Sequence, residues 1–239
     1  LFSGSETALT AASRGKLRAN ADKGSKGAEQ ALKITEDNER LIGSVLLGNN
    51  LVNILATSLA TALFNGGLKV LEVTLRTEHG LAAISAIAKA VPGAIVGAGT
   101  VVTAQDVRNA KAAGAEFLVS PGCTTTLLET ARAENAPLLP GVNTPSEAMR
   151  LLEQGQRHMK FFPAEAAGGV PMLKSIFGPL PQLLFCPTGG VNPHNAQQYL
   201  SLPNVPCVGG TWMLDKATIA AGDWAEIERV SCLASALSS

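Results

Sequence analysis

Short apolar runs recur along the C-terminal three quarters of the chain, about 20 to 25 residues apart, and each is followed by helical spacing. Such alternation indicates βα units and a parallel sheet. The predicted strands cover residues 69–75, 94–100, 116–120, 137–141, 158–162, 183–187 and 205–211. A barrel of this kind closes with eight strands, so the pattern predicts an α/β fold, a (β/α)8 TIM barrel that lacks its first strand.

The N-terminal part has a different pattern. Residues 1 to about 40 are small and polar, with helical spacing around residues 28–34 but no deep apolar face. Residues 41–64 contain no charged residue and exceed the roughly 20 positions that a helix needs to cross a bilayer. Asn49, Asn50 and Asn53 are polar for a lipid-facing helix, so in a membrane they would face a partner helix or an ion path.

These two patterns divide the chain into a mostly helical segment at residues 1–58 and a barrel at residues 59–239. The chain starts with Leu1, and no charged region precedes an apolar run with a cleavage site. We therefore expect a fragment or processed segment, and not a secreted precursor.

Composition excludes several classes of function. Lys plus Arg and Asp plus Glu both number 19, so the formal net charge is zero, which argues against nucleic-acid partners. The hydrophobic content of 46% is ample for a core. The four cysteines are widely spaced without a Cys-x-x-Cys pair, which favours a reduced, cytoplasmic compartment and no structural zinc.

One lysine, Lys160, lies in the middle of a short apolar strand, within the segment His158–Glu165. Burial disfavours the charged form of an amine, and a neutral amine can form a Schiff base with a ketone. On this segment alone, a strand-end lysine that extends its ammonium group to water remains the alternative. His158, His194 and Glu165 do not have a metal-binding spacing, so we expect no metal site.

Two glycine pairs follow the last two predicted strands, in Thr188-Gly189-Gly190 and Gly209-Gly210-Thr211. In a (β/α)8 barrel the site lies at the C-terminal strand ends, and phosphate usually binds at the loops after strands seven and eight. Glycine lets backbone N–H groups approach phosphate oxygens, and a following helix start adds a favourable dipole. The two pairs together therefore predict a phosphate site.

Polar side chains also follow the first predicted strands. Period-two alternation places Glu72, Thr74 and Arg76 on one face, where a buried ion pair is the structural alternative to a catalytic role. The run Gly97–Thr100 lacks the third glycine and the acidic residue of a dinucleotide fingerprint. We expect its small residues to admit a substrate to which Thr100 donates, and we expect Cys123 to be a packed thiol.

Residues 59–239 contain seven motifs in a fixed order, at Gly66–Thr77, Val96–Val101, Val119–Gly122, Pro140–Val142, Lys160–Glu165, Cys186–Gly190 and Gly209–Trp212. In these motifs the segment resembles the KDPG/KHG class I aldolases of the Entner-Doudoroff pathway. The resemblance implies a Schiff-base lysine at Lys160 and an acid/base glutamate at Glu72, with no cofactor. It also implies that Arg76 and Thr100 bind the pyruvate carboxylate. The implied remaining substrate contacts are Pro121, Phe162, Thr188, Gly189, Gly190, Gly210 and Thr211, of which Thr188 helps to set stereochemistry.

The implied reaction is cleavage of 2-dehydro-3-deoxy-6-phosphogluconate, a small phosphorylated 2-keto acid, to pyruvate and glyceraldehyde 3-phosphate. The implied assembly is a homotrimer. Position 211 is more often serine in the family, although threonine keeps the hydroxyl. The alternative within the enzyme class is 4-hydroxy-2-oxoglutarate aldolase activity at the same site, because the cleavage chemistry is unchanged and only the phosphate contacts differ.

The N-terminal part contains three further motifs, at Phe2–Ala8, Glu39–Leu41 and Gly48–Asn53. In these motifs residues 1–64 resemble the start of the transmembrane domain of CorC/CNNM magnesium and cobalt transporters. This resemblance implies a chimera whose two parts meet near Leu59–Phe64. Two further alternatives therefore stay open, namely a membrane-tethered aldolase and an inactive transporter fragment with an inert passenger.

Overall fold

The structure is a computed structural model, and it describes residues 52–238. The helical segment was predicted for residues 1–58, and its residues 1–51, with most of the transporter-like motifs, lie outside the described residues. Among residues 52–238, no helix combines the length and the apolar character needed to cross a bilayer.

Helices and strands alternate through the described part of the chain. Residues 52–65 form the described part of helix α1. The strands are β1 (Val70–Thr74), β2 (Ile95–Gly99), β3 (Phe117–Val119), β4 (Leu138–Leu139), β5 (Gly141–Val142), β6 (His158–Phe161) and β7 (Leu184–Pro187). The helices after α1 are α2 (Gly80–Ala90), α3 (Ala104–Ala112), α4 (Thr125–Ala133), α5 (Pro145–Glu153), α6 (Gly169–Phe177), α7 (Ala196–Leu200), α8 (Lys216–Ala221) and α9 (Trp224–Ser235), and a 3-10 turn follows at Ala236–Ser238.

The strands pair in parallel and in chain order, β1-β2-β3-β4 in one sheet and β5-β6-β7 in a second. The strand predicted over residues 137–141 is split at Pro140, because proline has no N–H to donate to a ladder. The strand predicted over residues 205–211 is wrong as a continuous element. It forms one parallel bridge, between Thr188 and Gly209.

The barrel is open at β1 among the described residues. In the described sheet this strand pairs only with β2. Its Val70 is 61% exposed, and Glu72 and Thr74 on the same face are also exposed. A closed eight-stranded barrel would cover this edge with its first strand. The described barrel therefore has the predicted fold, and its first strand is the missing one.

Two apolar clusters fill the space between strands and helices. One joins α2 to the first sheet through residues such as Ile84, Val96 and Val107, which are fully buried. The other surrounds β6 and β7, where the rings of Phe161 and Phe185 meet edge to face with centroids 6.3 Å apart. The strands that carry the candidate site residues are thus anchored on their outer face by packed helices.

Hydroxyl and carboxyl side chains start the helices directly after the strands. Thr103 caps α3 and Thr144 caps α5, each in a reciprocal capping box with an acidic residue, Asp106 or Glu147. The hydrogen bond from the Asn143 N–H is the main reason why the pKa of the Glu147 carboxyl lies below its usual range. These caps fix the residue at which each helix begins after its loop.

Candidate active site

Lys160 and Glu72 lie next to each other inside the barrel. The Lys160 side chain is 8% exposed, and its Nζ lies 3.6 Å from Oε1 of Glu72, whose side chain is 30% exposed. Alternation along β6 sends the buried Met159 and Phe161 into the apolar core and turns Lys160 the other way. Phe162 places its ring centroid 5.1 Å from the same Nζ, a favourable position for a cation.

The Glu72 carboxylate occupies space that glycine leaves free on the neighbouring strand. A Cβ atom at Gly99 would lie 2.0 Å from Oε1 of Glu72, which is far inside van der Waals contact. A Cβ atom at Gly97, the register partner of Glu72, would lie 2.3 Å from the Phe117 ring. Gly99, one of the small residues that we expected to admit a substrate, thus makes room for the Glu72 carboxylate, and Gly97 makes room for the Phe117 ring.

Arg76 and Thr100 form a second polar contact near the ends of β1 and β2. The Arg76 Nε donates to Oγ1 of Thr100 over 3.3 Å. Thr100 has φ of 59°, a left-handed conformation that is rare for a β-branched residue and is concentrated at functional sites. An exposed guanidinium beside a hydroxyl can bind a carboxylate through two or more hydrogen bonds.

The two glycine pairs are neighbours in the structure. The bridge between Thr188 and Gly209 joins them, and a Cβ atom at Gly209 would lie 2.5 Å from Oγ1 of Thr188. Gly189 and Gly190 have φ of 101° and 83°, so the turn that they form requires glycine. Thr211 is exposed beyond this pair. The first pair follows β7 as predicted, and the second pair is brought next to it by this single bridge, without a strand before it.

Pro121 lies at the end of β3, next to the strand that pairs with Lys160. A Cβ atom at Gly141 would lie 2.3 Å from the Pro121 backbone, and Gly141 is the register partner of Lys160. Gly210 lies against the ring of Trp212 in the same way. His158, in contrast, is exposed at the start of β6.

Two contacts were not found from the sequence. The Tyr199 hydroxyl donates to Oε1 of Glu165, and burial raises the pKa of Tyr199. The neighbouring Cys186 thiol lowers the pKa of Cys207 to about 7, and the same interaction raises the pKa of Cys186. The two residues of each pair are distant in sequence, so no local pattern indicates either contact. In the structure, the bridge between Thr188 and Gly209 brings the chain segments of Cys186 and Cys207 together.

Comparisons with known proteins give a consistent result. The family described as KDPG and KHG aldolase matches residues 38–230. The 2-dehydro-3-deoxy-phosphogluconate aldolase of Pseudoalteromonas atlantica is 51% identical over 176 residues, which cover 74% of this chain and 82% of that protein.

Two solved structures are similar over most of the chain. The KDPG aldolase of Legionella pneumophila, with pyruvate captured as a covalent carbinolamine intermediate, has a TM-score of 0.74 at 47% identity, over 76% of this chain and 88% of that one. The 2-keto-3-deoxy-6-phosphogluconate aldolase of Zymomonas mobilis with 3-phosphoglycerate also has a TM-score of 0.74, at 48% identity. This match covers 77% of this chain and 87% of that chain.

Proposed function

The chain belongs to the KDPG and KHG aldolase family, and we propose that it cleaves 2-dehydro-3-deoxy-6-phosphogluconate to pyruvate and glyceraldehyde 3-phosphate. The observation that supports this reaction most directly is the contact between the buried Lys160 and the partly exposed Glu72, whose Nζ and Oε1 atoms lie 3.6 Å apart. In such a contact the amine can act as the nucleophile and the adjacent carboxylate as the proton acceptor.

The first half of the reaction forms the Schiff base. Glu72 accepts a proton from Lys160, and the neutral amine adds to the C2 carbonyl of the substrate. Glu72 then returns the proton as the C2 oxygen leaves as water, which gives an iminium. This iminium accepts the electron pair released when the C3–C4 bond breaks, and loss of the C4 hydroxyl proton to Glu72 frees the aldehyde. Protonation of the resulting enamine and hydrolysis release pyruvate and restore Lys160.

Other site residues bind the two ends of the substrate. Arg76 and Thr100, whose Nε and Oγ1 atoms lie 3.3 Å apart, bind the substrate carboxylate. Phosphate binds at the glycine turns, through Gly189, Gly190, Gly210 and Thr211. Thr188 helps to set the stereochemistry, and Pro121 and Phe162 contact the substrate near Lys160, whose Nζ lies 5.1 Å from the Phe162 ring centroid. Proximity of the reacting groups then supplies much of the rate enhancement.

Cleavage of 4-hydroxy-2-oxoglutarate is the second candidate activity. None of the proposed phosphate-binding positions carries a positive charge, so a substrate without phosphate loses only hydrogen bonds there. The amine, the carboxylate and the Arg76 site are used in the same way. Competition between the two substrates for the same enzyme measures the preference directly.

Trapping with borohydride tests the Schiff base. Incubation with pyruvate and borohydride should add a covalent adduct to the peptide that carries Lys160, and Lys160→Arg should abolish both the adduct and pyruvate release. Lys174→Arg is the matched control, because Lys174 is an exposed lysine of α6. An unmodified Lys160 in folded, active protein would contradict the mechanism.

We further propose that the protein acts as a cytoplasmic homotrimer, with residues 1–58 as a separate helical segment. The family match begins at residue 38, so residues 38–58 fall within both the match and this segment. Light scattering should give three times the mass of the 24.6 kDa chain. Limited proteolysis should cut first before residue 59, and first cuts inside the barrel would contradict the division.

A further inference from the structure

The buried hydroxyl of Tyr199 binds a carboxylate beside the proposed phosphate site. Tyr199 belongs to α7, is fully buried and is the chain's one tyrosine. Its hydroxyl donates to Oε1 of Glu165, which lies after β6 in the loop that follows Phe162. Hydrogen bonds to a charged partner contribute more than those between neutral groups, so this contact restrains the Glu165 side chain strongly.

Glu165 in turn supports the Gly189–Gly190 turn. Its N–H donates to the Gly189 carbonyl oxygen over 3.1 Å, and the Ala164 N–H donates to that of Thr188 over 2.8 Å. Its side chain lies against Gly190, where a Cβ atom would meet Cγ of Glu165 at 2.5 Å. The turn is therefore packed directly on the residue that Tyr199 holds.

Two asparagines before α7 also bind the same turn. The side-chain amides of Asn192 and Asn195 both donate to the Gly190 carbonyl oxygen over 3.1 Å. Asn195 is the N-cap of the helix that carries Tyr199. The helix thus contacts the turn through its N-cap residue, and it contacts Glu165 through Tyr199.

The Glu165 carboxylate is directed toward the start of α6. A Cβ atom at Gly169, the first residue of this helix, would lie 3.3 Å from Oε1 of Glu165 and 3.2 Å from the Tyr199 hydroxyl. A helix N-terminus favours a carboxylate. Without the Tyr199 hydroxyl, the carboxylate is free to turn toward Gly190, where it would repel a phosphate dianion.

We propose that the Tyr199–Glu165 hydrogen bond positions the Gly189–Gly190 turn for the substrate phosphate and keeps the Glu165 charge away from it. The pair is thereby a determinant of the preference for phosphorylated over unphosphorylated 2-keto acids. This inference rests on the proposed function, since it takes the glycine turn as the phosphate site. Both residues act through the turn and are positioning residues.

Steady-state kinetics on both substrates tests the inference. Tyr199→Phe should raise KM for 2-dehydro-3-deoxy-6-phosphogluconate about 10-fold, the loss expected for one hydrogen bond to a charged group, with kcat unchanged. KM and kcat for 4-hydroxy-2-oxoglutarate should stay within about twofold of wild type, because that substrate has no phosphate. Glu165→Gln keeps an acceptor oxygen and removes the charge, so it should largely preserve KM for the phosphorylated substrate. When Tyr199→Phe is combined with Glu165→Gln, it should raise this KM by a smaller factor than it does in the wild-type protein.

Ser231→Ala is the matched control. Ser231 is another buried hydroxyl, and it donates to the Ile227 carbonyl oxygen within α9. Its loss should lower the melting temperature without changing the ratio of the two KM values. An equal effect of Tyr199→Phe on both substrates, or no effect on either, would overturn the inference.

Titration with inorganic phosphate separates this inference from the proposed function. The Tyr199→Phe variant should bind phosphate about 10-fold more weakly than wild type, independently of turnover. Wild-type protein that cleaves neither substrate overturns the proposed function. Equal phosphate affinity in the two proteins, or no phosphate binding in wild type, overturns the positioning role.

Discussion

The substitution Gly99→Ala should separate the position of the Glu72 carboxylate from the stability of the barrel. A Cβ atom at residue 99 would lie 2.0 Å from Oε1 of Glu72, and real Cβ contacts essentially never fall under 3.0 Å. The carboxylate must therefore move by at least about 1 Å, the difference between these two distances. The next closest atoms are Cδ and Cγ of Glu72, so the flexible side chain moves and the backbone stays in place.

A displacement of this size has a large effect on a proton transfer. A misplacement of about 1 Å can cost about 100-fold in rate, or ~2.7 kcal/mol in the activation barrier. Glu72 starts 3.6 Å from Nζ of Lys160. We expect kcat for pyruvate release to fall about 100-fold in Gly99→Ala and borohydride trapping at Lys160 to slow as well.

The assay is pyruvate release measured with an excess of a pyruvate-reducing coupling enzyme, beside thermal unfolding of the same samples. Gly122→Ala is the matched control, because Gly122 has no atom within 4 Å of an added Cβ and no left-handed φ. It should behave as wild type in both measurements. Wild-type kcat in Gly99→Ala would refute the assignment of proton transfer to Glu72, and so would an equal loss in both alanine variants.

Three further predictions concern reactivity and stability. Iodoacetamide should label Cys207 with a midpoint near pH 7, because the Cys186 thiol lowers the pKa of Cys207 to about 7, and Cys186→Ala should move this midpoint upward in mass-spectrometric rates. Glu147→Gln should lower the free energy of unfolding at neutral pH, as measured by denaturant titration. Because the pKa of Glu147 is lower in the folded state, this difference from wild type should vanish as the pH falls through the folded-state pKa. Gly66→Ala should cost about 1 to 3 kcal/mol of stability by overpacking, since its Cβ would lie 2.3 Å from Cβ of Ser231, and an unchanged melting temperature would contradict this packing.

Local pattern was enough to find most of the strands. The strands predicted at residues 69–75, 94–100 and 158–162 contain β1, β2 and β6, because each combines an apolar run with flanking turn residues. The pattern failed where backbone hydrogen bonding decided the outcome. Pro140 divided one predicted strand, and residues 205–211 kept a single bridge to Thr188.

The contacts of the candidate site required the fold. Alternation predicted that Glu72 and Thr74 share a face, yet no local signal said that this face meets Lys160 from a strand far along the chain. The Tyr199 hydroxyl bound to Glu165 is a similar case, since nothing near either residue in sequence indicates its partner.

The sequence by itself determined the parallel α/β architecture and predicted which side chains react. Residue order sets these properties, because periodicity and turn residues act over a few positions. Only the tertiary structure decided the 3.6 Å approach of Lys160 to Glu72, the joining of the two glycine pairs and the support of one of them by Tyr199. Distances between strand ends follow from sheet register and helix packing, which depend on the whole chain at once.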